Sequence, residues 1–104
     1  MTISSDFPDI TNRRIASNGI ELNIAEQGDA GAPLIVMLHG FPESWFSWRH
    51  QFAPLSAAGY HVVAPDMRGY GESDKPSDIS AYNQVEVVND VKGLVAALGY
   101  DTAI

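Results

Sequence analysis

The sequence predicts a three-layer α/β fold, a sheet with helices on both faces. Three observations predict it. Two short apolar runs, Leu34–Leu38 and Tyr60–Pro65, read as strands buried on both faces. A helix-like stretch separates them and another follows, so strand and helix alternate. Ahead of both, Asn18-Gly19 stands between two short runs, the strongest local signal for a hairpin.

Met1–Asp9 is polar and reads as a loosely held lead-in. Arg13–Ser17 and Ile20–Glu26 flank the Asn-Gly turn as an antiparallel pair at a sheet edge. Ile20, Leu22 and Ile24 alternate with Glu21, Asn23 and Ala25, which implies one buried face and one wet face. Gln27–Pro33 is a loop rich in Gly and Pro. Leu34–Leu38 then ends abruptly at His39-Gly40, and Gly40 and Pro42 break the backbone.

Trp45, Phe46, Trp48, Phe52 and Leu55 give a helix one apolar side, with Pro54 as a break or restart. Gly59 suits the left-handed position that ends it. The strand Tyr60–Pro65 follows a short connection and is expected to lie parallel to Leu34–Leu38. Asp66–Pro76 is a glycine-spaced loop. Asn83 can cap the last helix, with Glu86 three residues on bonding back to it. Val85, Val88, Val91, Leu94, Val95 and Leu98 form its sheet-facing stripe, Gly93 permits close packing, and Gly99 ends it. Asp101–Ile104 reads as the first residues of another strand.

Composition narrows the function classes. The 104 residues carry 13 acidic and 6 basic side chains, a net charge of −7. Nucleic acid and anionic membrane surfaces need basic patches, so neither is an expected partner. There is no cysteine, which excludes disulfides, thiolate metal sites and cysteine nucleophiles from these residues. No apolar run approaches the ~18 residues of a membrane span, and Met1–Asp9 lacks the plan of a signal peptide. The reading is a cytoplasmic protein without a metal or organic cofactor.

The turn after Leu34–Leu38 carries the chemistry. At the carboxyl end of a buried parallel strand, a backbone amide left free by such a turn meets ligand. His39-Gly40-Phe41-Pro42 resembles the HGxP motif of the α/β-hydrolase fold, and His39–Arg49 (HGFPESWFSWR) resembles the epoxide hydrolase branch of that family. Arg68–Ser73 (RGYGES) is similar to the RGYGxS loop of the same branch. The resemblance implies an antiparallel pair followed by parallel strands, with the third strand between the fourth and a fifth. Residues 1–104 would then be the N-terminal portion of one hydrolase domain, inactive without the remainder, with Leu34–Leu38 at an open edge.

The same resemblance implies a mechanism. An aspartate after the fifth strand opens the epoxide and forms an alkyl-enzyme ester. A histidine, held by a second acid, activates the water that hydrolyses it, and two lid tyrosines hold the epoxide oxygen. None of these is assignable within 1–104. Phe41 would supply one oxyanion-hole amide and touch substrate together with Pro42, whose peptide bond is a candidate for cis. His39 reads as a structural link to the neighbouring loop rather than a catalytic base. Asp66 lacks the small-x-Asp-x-small surroundings of a nucleophile elbow and reads as a loop anchor, through Arg68 or backbone amides. Gly69, Gly71 and Ser73 lack the ending of a phosphate-binding loop and read as structural support, as do Gly40 and Arg68. Asp74 and Lys75 read as a solvated turn, and His50 and His61 as structural or solvated. The substrate implied is a small hydrophobic epoxide, with water. The rivals are a fluoroacetate or haloacid dehalogenase, an esterase, and a non-catalytic ligand binder of the same fold.

Overall fold

A computed structural model describes residues 7–40 and 43–104. Four strands form one mixed sheet: β1 (Thr11–Ser17), β2 (Ile20–Gln27), β3 (Leu34–Val36) and β4 (His61–Pro65). Their order is β1-β2-β4-β3. The β1–β2 pair is antiparallel, with Ser17 opposite Ile20, so Asn18 and Gly19 alone make the turn. Both have positive φ, 52° and 80°, as this tight hairpin requires. β2 runs antiparallel to β4, and β3 runs parallel to β4.

Helices lie on both faces, and the strand residues alternate between them. Ala25, Met37, Val62 and Ala64 pack with Ile10, Trp45 and Phe52. Leu22, Ile24, Leu34 and Val63 pack with Leu94 on the other side. The first cluster lies under a 3₁₀ turn, Trp45–Trp48, and helix α1 (Phe52–Ala57). The second lies under α2 (Gln84–Ala97). Burying a side chain as large as Trp45 or Phe52 is worth roughly 1.5–3 kcal/mol, and both are fully buried.

Several details depart from the sequence expectations. The stretch from Trp45 to Leu55 is two pieces, because Pro54 cannot sit deep inside a helix and instead stands in the first turn of α1. Asn23 and Ala25 are buried, so of the expected wet face of β2 only Glu21 is exposed. The β1–β2 pair does lie at a sheet edge as expected, with β1 outermost and β2 beside β4. The predicted stripe holds in the second half of α2, where Leu94 is buried and Val95 and Leu98 pack beside it, but in the first half Val85 and Val88 are exposed and Asp90 is buried. Asn83 does cap α2, its side chain accepting from the Glu86 N–H. Glu86 does not complete the box; its carboxylate accepts from Asn18 instead.

Regular pairing in β3 stops at Val36, with one further bond from the Met37 N–H to Val63 O. Leu38 is exposed rather than buried. Asp101–Thr102 and Ala103 form no strand, but Ile104 sits beside β3: its N–H donates to Leu34 O, and its carbonyl accepts from Val36 N–H. β3 therefore lies between β4 and the chain end, the arrangement expected of a fifth strand. A predominantly apolar cavity of about 630 Å³ opens there, lined by residues including Val36, Leu38, Val95 and Ile104. Gly93 lets α2 approach the hairpin, since a Cβ there would lie 2.3 Å from Ser17 Oγ. Among the described residues no helix is long and apolar enough to cross a membrane.

One ion-pair cluster braces the sheet away from these loops. Glu26 accepts from Arg13 and, at 2.8 Å, from His61 Nε2–H. Burial, the largest single influence, raises the Glu26 pKa, but the Arg13 and His61 bonds together hold it below its ordinary value of 4.5. A carboxylate depressed on folding contributes stability that is present above its unfolded pKa and lost as pH falls through the folded one. In the full-length protein, Glu26→Gln is expected to lower the melting temperature at neutral pH, with the gap to wild type closing below about pH 4.5. Melting curves of both proteins against pH check this; a gap that is constant or widens in acid contradicts it.

Candidate active site

Two loops leave the carboxyl ends of β3 and β4 side by side. The first begins at His39 and Gly40; the second runs from Asp66 to Lys75. The imidazole of His39 joins them. Its Nε2 accepts from the Met67 N–H at 2.9 Å, so the ring proton is on Nδ1, which donates to Gly40 O at 2.9 Å. The Gly40 carbonyl takes a second bond from the Glu43 N–H at 2.8 Å. The His39 ring is buried and meets Tyr70 edge-on, centroids 4.9 Å apart. With both nitrogens engaged, this ring is a link between loops, not a base facing substrate.

Asp66 anchors the second loop from beneath. It is 1% exposed. Oδ1 accepts from the Trp45 N–H at 2.8 Å, and Oδ2 from the Glu72 N–H at 2.9 Å and Asn23 Nδ2 at 3.1 Å. The expected anchoring through backbone amides is present, but Arg68 takes no part in it. A carboxylate spent on three donors in this way is an organising acceptor. Ser73 adds two bonds: its hydroxyl donates to Asp66 O at 2.6 Å and accepts from the Asn23 N–H at 2.8 Å. Gly71 has φ +51°, and a Cβ on it would fall 2.2 Å from Asp66 Oδ2. Gly69, at φ +86°, lies flat against the Tyr82 ring.

Asp74 is more than a solvated turn. Its N–H donates to Glu21 O at 2.9 Å, and its Oδ2 accepts from Glu21 N–H at 2.9 Å. The Glu21 amide bond is the chief cause of a carboxyl pKa held below the ordinary value. The loop is thus stitched along β2 at Glu21 and Asn23, which explains why Asn23 is buried. Lys75 closes the loop on itself through Gly71 O at 2.6 Å.

Arg68 turns the other way, into α2. Its Nε donates to Asp90 Oδ2 and its Nη2 to Asp90 Oδ1, both at 2.7 Å, and Nη1 donates to Ala81 O at 2.7 Å. The hydrogen bond to Asp90 is the main cause of an Arg68 pKa raised above its ordinary value. A cavity of about 290 Å³ lies between the loops, lined by His39, Gly40, Met67, Arg68, Tyr70 and Tyr82 among others. Phe41 and Pro42, the expected oxyanion donor and substrate contacts, lie outside the described residues. Among the described residues no cluster of three or more His, Asp or Glu is placed to hold a metal.

This geometry has known counterparts. The family model described as alpha/beta hydrolase fold matches residues 33–104. The chain belongs to the alpha/beta hydrolase fold family. It is 46% identical over 94 residues to epoxide hydrolase A of Mycobacterium tuberculosis, covering 90% of this chain and 29% of that protein. It is 46% identical over 92 residues to epoxide hydrolase 1 of Siraitia grosvenorii, covering 88% of this chain and 29% of that protein. The crystal structure of an epoxide hydrolase from Vigna radiata superposes with a TM-score of 0.90 at 43% identity, over 94% of this chain and 31% of that one. The chain therefore spans under a third of the length of these relatives.

Of the residues singled out in the sequence, His39 and Gly40 lie in the first loop and Asp66, Arg68, Gly69, Gly71 and Ser73 in the second. Sequence reasoning missed Asn23, Tyr82 and Asp90. Asp90 carried a signal: it falls three residues after Val87 and four before Leu94, inside a helix face that packs on the sheet. A carboxylate at such a position requires a buried partner. His61 proves structural and fully buried, while His50 is exposed against Phe7.

Gly71 tests the Asp66 anchor. Gly71→Ala adds a methyl that overlaps the buried carboxylate at a backbone angle that disfavours any side chain. It is expected to destabilise the full-length protein by about 1–3 kcal/mol, measured by denaturant unfolding. A variant as stable as the parent contradicts the anchor.

Proposed function

We propose that the full-length protein is an epoxide hydrolase, converting small hydrophobic epoxides and water to vicinal diols. The observation that carries the reading is the HGFPESW turn at the end of β3, joined through His39 to the RGYGES loop beside a small cavity. Its support from similarity is that relatives over 40% identical across most of this chain are named epoxide hydrolases. The reading includes a cytoplasmic setting, no metal or organic cofactor, and no nucleic-acid or membrane partner.

In this mechanism an aspartate outside residues 1–104 attacks one epoxide carbon through a carboxylate oxygen. The ring C–O bond breaks, and the released oxygen takes up a proton to become a hydroxyl. Water then attacks the ester carbonyl, and the acyl C–O bond breaks. The diol leaves and the carboxylate is regenerated. The tetrahedral oxyanion of the second step needs preorganised donors. The Phe41 main-chain amide is proposed as one of them, with Phe41 and Pro42 forming part of the substrate wall. The support is at Gly40, whose carbonyl is held by His39 and Glu43. That carbonyl shares a peptide plane with the Phe41 N–H, so holding one orients the other.

The chief rival is a dehalogenase of the same fold, which runs the same aspartyl chemistry on a carbon–halogen bond. Full-length protein is expected to convert styrene oxide to its diol and to release no fluoride from fluoroacetate. Chromatography of the diol and a fluoride electrode read the two outcomes. Fluoride release without diol formation overturns the proposal in favour of the dehalogenase. Loss of both reactions favours a ligand-binding protein or an esterase.

A further inference from the structure

The Arg68–Asp90 pair invites a question that its position sharpens. Arg68 is 5% exposed and Asp90 2% exposed. Burying two charges costs several kcal/mol per ion, and a well-packed apolar pair of similar volume is often as stable or more so. Stability alone is thus a weak reason for this pair. Its geometry supplies another. The guanidinium is gripped by both carboxylate oxygens of Asp90, and its remaining nitrogen binds Ala81 O. Such a two-point fork fixes orientation as well as distance. Asp90 is itself fixed: Oδ1 accepts from Asn18 Nδ2 at 3.0 Å, and its main-chain carbonyl accepts from Ser17 Oγ at 2.7 Å.

What the fork holds is the start of the second loop. Met67, the residue before Arg68, donates its N–H to His39 Nε2, and His39 holds the Gly40 carbonyl. An unbroken line of short bonds runs from α2 and the hairpin to the turn that begins the first loop. Arg68 and His39 both line the same 290 Å³ cavity.

We propose that Asp90 is a positioning residue, acting through Arg68 and the Met67 amide on the His39 ring and hence on the Gly40 carbonyl. It touches no substrate. The proposal rests on the epoxide hydrolase reading for its kinetic consequence, but its structural consequence stands apart from that reading. Without the fork the loop keeps its Asp66 anchor, and the Ser73 hydroxyl still holds the Asp66 carbonyl that shares a peptide plane with the Met67 N–H; what is lost is the hold of α2 on the chain that leaves Met67. The Met67 N–H then shifts against His39 Nε2, while the Gly40 carbonyl, which can only accept, keeps the ring proton on Nδ1.

The test uses the full-length protein in three forms: wild type, Asp90→Asn, and the apolar pair Arg68→Met/Asp90→Leu. Asp90→Asn leaves a buried guanidinium short of its counter-charge and is expected to melt lower. The apolar pair removes that penalty and is expected to regain the wild-type melting temperature. Its kcat for styrene oxide hydrolysis is nonetheless expected to fall at least about tenfold, since small misplacements near a reacting centre carry costs of this size. Its KM is expected to change little. Nitrogen-15 NMR of His39 is the second readout. Wild type is expected to show the Nδ1–H tautomer; the apolar pair is expected to keep it but to shift the Nε2 resonance, which reports the bond from the Met67 N–H.

An apolar pair with unchanged His39 signals overturns the proposal, whatever its kcat. One with wild-type kcat overturns it too, and so does a pair that fails to fold, because the charges then serve stability. If wild type forms no diol, the epoxide hydrolase reading falls, and the His39 signature alone decides the positioning role.

Discussion

The Asp66 carboxylate is the constraint on which the rest of this structure depends. It ends β4 and accepts from three donors on three different segments: β2 through Asn23, the turn after β3 through the Trp45 amide, and its own loop through the Glu72 amide. The Trp45 amide and the Asn23 side chain would otherwise be buried polar groups without a partner, at about 1–3 kcal/mol apiece. One side chain thus sets the spacing of both loops relative to the sheet. Trp45 follows from it: with its amide held, its ring enters the core beneath the sheet and meets Phe52 edge-on, centroids 6.1 Å apart.

The loop above Asp66 has little freedom left. Ser73 and Asp74 tie it to β2, Gly71 makes room for the carboxylate, and Arg68 reaches α2 on the far side. A rigid loop at the carboxyl end of a parallel strand is what a site needs when a few backbone amides must be aimed. The His39 link carries that rigidity across to Gly40. This explains why so many polar side chains here are buried and none of His39, Asp66 or Arg68 points to solvent: they hold main chain in place.

Much of this was legible in the sequence. The Asn18-Gly19 hairpin, the parallel β3–β4 pair and the cap of α2 follow from local rules that depend on neighbouring residues only. The two loops were legible as sites because glycines, a histidine and an arginine were concentrated after apolar runs. What could not be read was partnership across the fold. Asp66 and Arg68 are two residues apart, and pairing them was the natural reading. Their side chains instead diverge, one toward β2 and the other toward α2. The burial of Asp90 was hidden for the same reason: it looks like a surface residue until Arg68 is seen to bury it. Asn23 looked solvated because the loop that covers it begins more than forty residues later.

The most direct measurement of this account is amide hydrogen exchange on full-length protein, comparing wild type with Asp66→Ala. If Asp66 holds the loops, the Trp45 and Glu72 amides are slow to exchange in wild type and become fast together in the variant. The Val62, Val63 and Ala64 amides, held by the sheet, stay slow in both. Trp45 and Glu72 amides that remain protected without the carboxylate would contradict it, as would a loss of protection spread evenly through the sheet.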